Sequence, residues 1–172
     1  KSPLSGTIAS SNSGGHWGPE LKFAGYDAII FEGKSKEPVY LMIEDGKIEF
    51  RNANHIWGKI VSETTEILKN EVPEKSRILT IGPAGEKLSN MAAIMNDIDR
   101  AAGRSGVGAV MGSKNLKAIT VRGTSKVNLF DEESLKLVVK DCMAKIKENG
   151  VTGQGLPAYG TAVLVNIINE NG

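Results

Sequence analysis

The spacing of apolar positions changes repeatedly along the first part of the chain, and this predicts short strands mixed with helices. β-branched and aromatic residues are concentrated at 7–9, 27–32 and 38–44, which predicts three strands. Asp45-Gly46 follows the third of these and is a strong hairpin signal. In the return segment, Lys47 to Phe50, apolar and charged residues alternate, so we expect one face of that strand to be exposed to solvent.

A helical period comes next. Apolar residues from Trp57 to Leu68 recur at helical spacing, with Asn54 as the predicted cap and Pro73 just beyond the end. Further strands are predicted at 77–81, 91–95 and 118–121, with a short helix at 107–111. For residues 91–95 the length of the apolar run also allows a helix. Strands and helices interleaved with a hairpin indicate an α+β fold rather than a series of βαβ units.

A polar segment then predicts a boundary between two domains. The first domain would span residues 1–127, and residues 128–172 would be the start of a helical second domain. Acidic residues that begin at Asp131 suit the N-terminus of an amphipathic helix, because the helix dipole favours negative charge there. A glycine-rich connector follows this helix, and a last helix is predicted from about Thr161.

Charge and cysteine content exclude several classes of function. The formal net charge is +1, which gives no field that would attract nucleic acid or an anionic membrane. No apolar run reaches the roughly 20 residues of a membrane-spanning helix. The single cysteine, Cys142, rules out an internal disulfide and fits a cytoplasmic location. It lies on the apolar face of its helix, so we expect it to be buried and inert. The opening at Lys1 and the end at Gly172 suggest a piece of a longer polypeptide.

Two glycine-rich segments contain the residues best suited to bind an anion. In the sharper one, residues 99–108, glycines accompany Arg100 and Arg104 just ahead of a predicted helix. Backbone N–H groups near glycine and the forked donors of arginine suit phosphate oxygens. The alternative is a tight turn in which the arginines pair with Asp97 and Asp99, and the pattern alone leaves both interpretations open.

The second segment is the loop from Asn12 to Gly15. Asn12 can offer its side-chain oxygen to a hard cation such as Mg²⁺, although an Asn-initiated turn explains the same residues. His16 and His55 lack partners at the spacing of a metal site. No nucleophile stands beside a base in the sequence.

Six segments of the chain resemble the aldehyde ferredoxin oxidoreductase family, and they occur in that family's order. Together they extend over almost the whole sequence, so the resemblance is far more specific than either glycine loop alone. The segments are residues 1–6, 12–15, 20–27, 81–86, 100–104 and 108–118.

The resemblance implies an enzyme that oxidises aldehydes to carboxylic acids at a tungsten atom held by two pterins of the molybdopterin type. Electrons would leave through a [4Fe-4S] cluster to ferredoxin. The α+β domain would be the base under the bis-pterin, made of two similar halves and covered by helical domains. The chain would supply the later part of that base, without its beginning, and the first helices of the next domain.

Six residues of the two glycine-rich segments would hold the phosphate ends of the cofactor. A Mg²⁺ ion that bridges the phosphates would be bound by one amide side chain and one backbone carbonyl. Two arginines would face the phosphates and pterins, and two glycines would let the backbone approach closely. These residues are Asn12 and Ala101 for the Mg²⁺ ion, Arg100 and Arg104 for the phosphates and pterins, and Gly14 and Gly103 for the close approach of the backbone. Ser105 departs from the family, which usually has a glycine there.

The cluster cysteines and the later pterin motifs of the family do not occur in this sequence, so we expect the chain alone to be inactive. Its expected partners are an aldehyde, ferredoxin and the rest of its own polypeptide, and not nucleic acid or a membrane. Oligomeric state is left open, a homodimer included.

Three alternatives remain at this point. The first is a related tungsten enzyme of the benzoyl-CoA reductase type, acting on an aromatic thioester. The second is a stand-alone phosphate-binding module. The third is a structural remnant that binds nothing, in which Arg100 and Arg104 would not share a cleft with Asn12.

Overall fold

The computed structural model describes residues 1–171, apart from the side chain of Ile167. These residues form two compact units, the first spanning Lys1–Val127 and the second beginning at Asn128. The division falls where the sequence predicts a domain boundary. That each unit is a domain of a larger enzyme stays a prediction.

The first unit is built on one six-stranded mixed sheet. Its strands are β1 (Val39–Glu44), β2 (Lys47–Asn52), β3 (Arg77–Thr80), β4 (Ile94–Asn96), β5 (Arg100–Ala102) and β6 (Leu116–Arg122). They lie in the order β2-β1-β6-β3-β4-β5. Among them β1 and β6 run parallel, and every other neighbouring pair is antiparallel. The sheet therefore has two edges, β2 and β5.

Helices cover both faces of this sheet. They are α1 (Trp17–Phe23), α2 (Val61–Glu71), α3 (Pro83–Glu86) and α4 (Val107–Ser113). Successive strand residues point to opposite faces, so Leu41 packs with Leu21 of α1 and Met111 of α4 in one buried cluster. Tyr40 packs with Leu68 of α2 in a second cluster on the other face. The α+β fold class predicted from the sequence is confirmed.

The hairpin predicted at Asp45-Gly46 joins β1 to β2 as expected. Two other predicted strands are wrong. Residues 7–9 and 27–32 are irregular, because a strand forms where its backbone groups pair with a neighbour and neither segment joins the described sheet. The second of these segments instead lays Ile29 and Phe31 against the first cluster.

The helix predicted from Trp57 begins later, at Val61. Gly58 has a φ of 84°, in the left-handed region, and this interrupts the helical spacing ahead of α2. The carboxylate of Glu63 accepts a hydrogen bond from the backbone N–H of the residue before the helix, at 3.3 Å. Glu63 therefore caps the N-terminus of α2, and the prediction that Asn54 is the cap was wrong. The sequence patterns missed α1, α3 and β5.

The second unit consists of helical segments. They are α5 (Glu132–Glu148), a π-helical turn (Gly150–Gly155), α6 (Leu156–Tyr159), a 3₁₀ turn (Gly160–Leu164) and α7 (Val165–Glu170). Asp131 caps α5 by accepting a hydrogen bond from the Ser134 N–H at 2.9 Å, as its acidic start predicts. The prediction that Cys142 is buried was wrong. Cys142 is exposed, because no residue of α5 is buried against the short segments that follow this helix.

Candidate functional site

The candidate site lies at the β5 edge of the sheet, and a hairpin builds it. β4 and β5 pair so that Asn96 lies opposite Arg100 and Met95 opposite Ala101. Asp97, in the turn between them, has a φ of 53°. Its N–H donates to the Ile78 carbonyl at 2.7 Å, and its carboxylate accepts from the Ile78 N–H at 3.2 Å. The hairpin is therefore fixed to β3.

A cleft opens where the segment around Asn12 meets the end of this hairpin. Its volume is about 780 Å³, within the usual range of small-molecule sites, about 300–1,000 Å³. The Ser11 hydroxyl accepts a hydrogen bond from the Arg104 N–H at 3.0 Å and so joins the two segments. The cleft is lined by Ser10, Ser11, Asn12, Ala101, Gly103 and Arg104. Segments that are some 90 residues apart in sequence thus converge, as the resemblance implies.

The charge of this cleft comes from arginine. Within residues 1–171 the guanidinium groups of Arg100 and Arg104 form no ion pair, and Asp97 pairs with Arg77 instead, at 3.5 Å. The turn in which both arginines pair with Asp97 and Asp99 is therefore wrong for the described chain. Two exposed, unpaired guanidinium groups are suited to oxyanions, because each offers several donors in a rigid plane.

The two arginines differ in position. Arg104 lines the cleft together with Asn12, but Arg100 is not among the lining residues. The Arg100 side chain lies along the glycine loop: its Cγ would be 3.3 Å from a Cβ placed on Gly15, and its Cδ 3.9 Å from one placed on Gly14. The prediction that both arginines share a cleft with Asn12 is met by Arg104 alone.

Asn96 belongs to the site, and the sequence patterns missed it. Its side chain is 3% exposed, and its Nδ2 donates to the Gly14 carbonyl at 2.5 Å. Its Oδ1 is buried and has no hydrogen-bond partner among the described residues. In the sequence, Asn96 is distinguished only by its position directly after the apolar run that ends at Met95.

The glycines of the site have different functions. Gly15 has a φ of 95°, and a Cβ there would lie 2.9 Å from the Asn96 Nδ2. Gly103 faces open space, with nothing within 4 Å of where its Cβ would be, so its absent side chain leaves room inside the cleft. Gly106 and Gly108 are packing glycines, because a Cβ on either would meet a backbone carbonyl at 2.2 or 2.4 Å.

The donor set suits a phosphate with a hard cation. Hydroxyls, backbone N–H groups and a guanidinium bind phosphate oxygens, and amide and backbone carbonyl oxygens are ligands that Mg²⁺ accepts when substrate phosphates supply others. In the part of the chain that the structure describes, no group of three or more His, Cys, Asp or Glu side chains could hold a metal ion. A cation in this cleft would therefore depend on Asn12, on Ala101 and on the ligand's own oxygens.

Residues 1–123 match the family model described as the aldehyde ferredoxin oxidoreductase N-terminal domain. The chain belongs to the aldehyde ferredoxin oxidoreductase family. It is 61% identical over its whole length to the tungsten-containing aldehyde ferredoxin oxidoreductase of Pyrococcus furiosus and 58% identical to that of Thermococcus kodakarensis. In each case the chain spans 29% of the relative's length. The family resemblance noted in the sequence is confirmed.

Two further similarities are weaker. The chain is 41% identical, over 82% of its length and 25% of the relative's, to the WOR-like subunit of an aliphatic sulfonate oxidoreductase from Pyrococcus furiosus. A solved structure, the active-site complex BamBC of benzoyl coenzyme A reductase with 1,5-dienoyl-CoA, superposes with a TM-score of 0.82 at 45% identity. That match covers 85% of this chain and 22% of the solved one. Within residues 1–171, no helix combines the length and the apolar character needed to cross a bilayer.

Proposed function

We propose that this chain is the part of a tungsten-containing aldehyde:ferredoxin oxidoreductase that holds the phosphate groups of the pterin cofactor. The observation that carries the proposal is Arg104, which lines one cleft with Asn12, Ala101 and Gly103 and whose guanidinium forms no ion pair within residues 1–171. Family membership supplies the identity of the cofactor, and the cleft supplies a site with the matching charge and donors. The tungsten bis-pterin would provide the oxidation of an aldehyde to a carboxylic acid.

Each residue of the cleft has a distinct role in this proposal. The Asn12 side-chain oxygen and the Ala101 backbone carbonyl would hold a Mg²⁺ in the cleft, beside the pterin phosphates. Ala101 is on β5, an edge strand, whose outer backbone groups have no partner strand and are available to a ligand. Arg104 donates to the phosphate oxygens from within the cleft. Gly103 leaves room for the phosphates inside the cleft because it has no side chain.

Arg100 and Gly14 act beside the cleft. The Arg100 side chain covers the glycine loop and adds positive charge next to the phosphates, so it raises the local affinity for anions without lining the cleft. The protein's contribution at this end of the cofactor is electrostatic binding and orientation, while the metal carries the chemistry. The [4Fe-4S] cluster of this proposal has its ligands outside these residues, and ferredoxin receives the electrons. A cytoplasmic location and a homodimer stay predictions.

Sequence identity favours the aldehyde oxidoreductase over its rivals. Identity to the tungsten-containing aldehyde enzymes is 58–61% over the whole chain, against 45% to the benzoyl-CoA reductase structure over 85% of it. The aromatic thioester is therefore not the proposed substrate. Such identity to tungsten enzymes also favours an enzyme part over a stand-alone phosphate-binding module or a remnant.

Metal and pterin analysis of the complete gene product, purified without oxygen, tests the proposal. We expect tungsten and iron in a fixed ratio, and pterin released on denaturation. Arg104→Ala should reduce tungsten and pterin per protein, because a hydrogen bond to a charged group contributes about 1.5–3 kcal/mol, or roughly 10- to 150-fold in affinity. Lys36→Ala removes an exposed cation outside the cleft and should leave the content unchanged. A wild-type protein without tungsten, molybdenum or pterin would contradict the proposal.

A further inference from the structure

We infer that Asn96 is a positioning residue that holds the loop carrying Asn12 in register with the strand carrying Arg100 and Ala101. The inference rests on the proposed function, because it concerns how the two sides of the phosphate cleft are kept together. It adds a residue that neither the sequence patterns nor the family resemblance assigned.

Asn96 has contacts on both sides of the cleft. Its backbone is in β4, directly opposite Arg100 of β5. Its Nδ2 donates to the Gly14 carbonyl, so the same residue binds the loop that contains Asn12. The loop backbone is pressed close to this amide at Gly15, where a Cβ would lie 2.9 Å from Nδ2 and 3.3 Å from the Arg100 Cγ. Gly15 thus lies against both the amide and the arginine.

The loop has few other attachments. The segment from Thr7 to Gly14 has no regular secondary structure. In the part from Ser10 to Gly15, two hydrogen bonds join it to the cleft's other side among the described residues: Asn96 to the Gly14 carbonyl, and the Arg104 N–H to the Ser11 hydroxyl. Without the Asn96 hydrogen bond, only the Ser11 contact would hold the loop against the other side of the cleft. The loop includes the Asn12 oxygen that is proposed to bind Mg²⁺.

Stability alone does not explain an asparagine at this position. The residue is 3% exposed and its Oδ1 is buried without a partner in the described part of the chain, which is unfavourable for folding. An apolar side chain would avoid that cost. Unlike an apolar residue, asparagine provides a short, neutral side chain that donates a hydrogen bond to the Gly14 carbonyl. This donor favours a role for Asn96 in holding the loop.

The test compares Asn96→Asp with a matched control in the complete gene product. Asn96→Asp preserves the shape of the side chain and removes the donor. The control, Asn115→Asp, makes the same chemical change at an amide that donates to the Ser35 carbonyl at 2.8 Å, outside the residues that line the cleft. For both variants we would measure tungsten and pterin per protein, the rate of pterin release, and the midpoint of thermal unfolding.

We expect Asn96→Asp to lower the cofactor content roughly fivefold or more, because a lost hydrogen bond costs about 0.5–1.5 kcal/mol and leaves the loop loose. Asn115→Asp should retain its cofactor even if its unfolding midpoint falls by as much as that of Asn96→Asp. A pH profile gives a second readout. Burial raises the pKa of the carboxyl group introduced at position 96, whereas the Arg100 side chain on the facing strand lowers it. Once protonated, the acid again donates to the Gly14 carbonyl. Pterin release from Asn96→Asp should therefore slow as the pH falls through the range in which that carboxyl is protonated, which the wild type should not show.

A second pair of variants approaches the same contact from the loop. Gly15→Ala places a Cβ against Asn96, whereas Gly33→Ala imposes a similar left-handed strain with no atom within 4 Å. We expect cofactor loss from Gly15→Ala alone. If the wild type carries tungsten and pterin while Asn96→Asp and Gly15→Ala retain both fully, Asn96 has no positioning role. If the wild type itself lacks them, the proposed function fails first.

Discussion

Ser105, in the glycine-rich segment of residues 99–108, is held in a conformation that serine rarely adopts. Its φ of 64° is in the left-handed region, which costs a residue with a Cβ about 1–2 kcal/mol. The Ser105 carbonyl accepts a hydrogen bond from the Ser2 hydroxyl at 3.0 Å, so the backbone position is fixed from outside. No hydrogen bond of the Ser105 hydroxyl occurs among the described residues.

Ser105→Gly should therefore stabilise the protein. Relief of the strain exceeds the added flexibility of the unfolded chain, about 0.4–1 kcal/mol, by a small margin. We expect the calorimetric unfolding midpoint of the complete gene product to rise. At the next residue Gly106→Ala should lower it, because a Cβ would lie 2.2 Å from the Asn90 carbonyl oxygen. If Ser105→Gly and Gly106→Ala shift the unfolding midpoint in the same direction, backbone strain does not determine the stability of this turn.

Single residues show where reasoning from the sequence succeeded and where it failed. Asn12, Ala101 and Arg104 were predicted together and do line one cleft. Asn96 was missed because its role depends on a contact with Gly14, 82 positions away, which no local pattern encodes. Arg100 was expected inside the cleft, but its side chain follows the glycine loop, and a sequence does not specify side-chain direction.

One buried ion pair joins three elements of the first unit. Lys117 of β6 is fully buried and donates to the Lys59 carbonyl at 2.9 Å and to the carboxylate of Glu86 in α3. The other Glu86 oxygen accepts from the Gly58 N–H at 2.8 Å. Burial lowers the pKa of the Lys117 ammonium, and the neighbouring Glu86 opposes that shift. The pair thus fixes α3 and the turn ahead of α2 to the sheet.

Breaking this pair on one side should be costly. Lys117→Met leaves the Glu86 carboxylate buried without its cation, and we expect a loss of about 3–5 kcal/mol, seen as a large fall in the thermal midpoint. The double variant Lys117→Met with Glu86→Gln removes both charges and retains an acceptor for the Gly58 N–H. It should be more stable than Lys117→Met alone. If the double variant is less stable than Lys117→Met, the unpaired Glu86 carboxylate is not what destabilises the single variant.

Elements were predictable where one local signal dominated. The Asp45-Gly46 hairpin followed from turn chemistry, and the helix of the region from Trp57 to Leu68 followed from apolar spacing, although α2 begins only at Val61. α1 was missed because Gly18 and Pro19 are typical of a turn in the sequence. In the first turn of a helix, however, proline gives up no intrahelical hydrogen bond, and Leu21 then packs the helix on the sheet. β5 was missed because Arg100 to Ala102 has no strand pattern, and its pairing with β4 determines its conformation.

In the first unit, the parts of the structure that hold the sheet together are separate from those that would hold the cofactor. Two buried clusters, one on each face, pack the sheet without using the residues of the cleft. The cleft depends instead on the irregular segment around Asn12 and the end of the β4–β5 hairpin, which a few hydrogen bonds join. Segments with few buried contacts open at low free energy, whereas core strands open only with global unfolding.

Removal of the cofactor should therefore loosen the cleft and leave the sheet intact. We would compare amide hydrogen exchange in the loaded gene product with that of the same protein produced without tungsten and pterin. Exchange should become faster at residues 10–15 and 101–106, because bound phosphates and Mg²⁺ no longer connect the two segments. In β1 and β6, which the buried clusters hold, protection should change little. Equal loss of protection in these strands would mean that the sheet itself requires the cofactor, and an unchanged cleft would mean that the phosphates bind elsewhere.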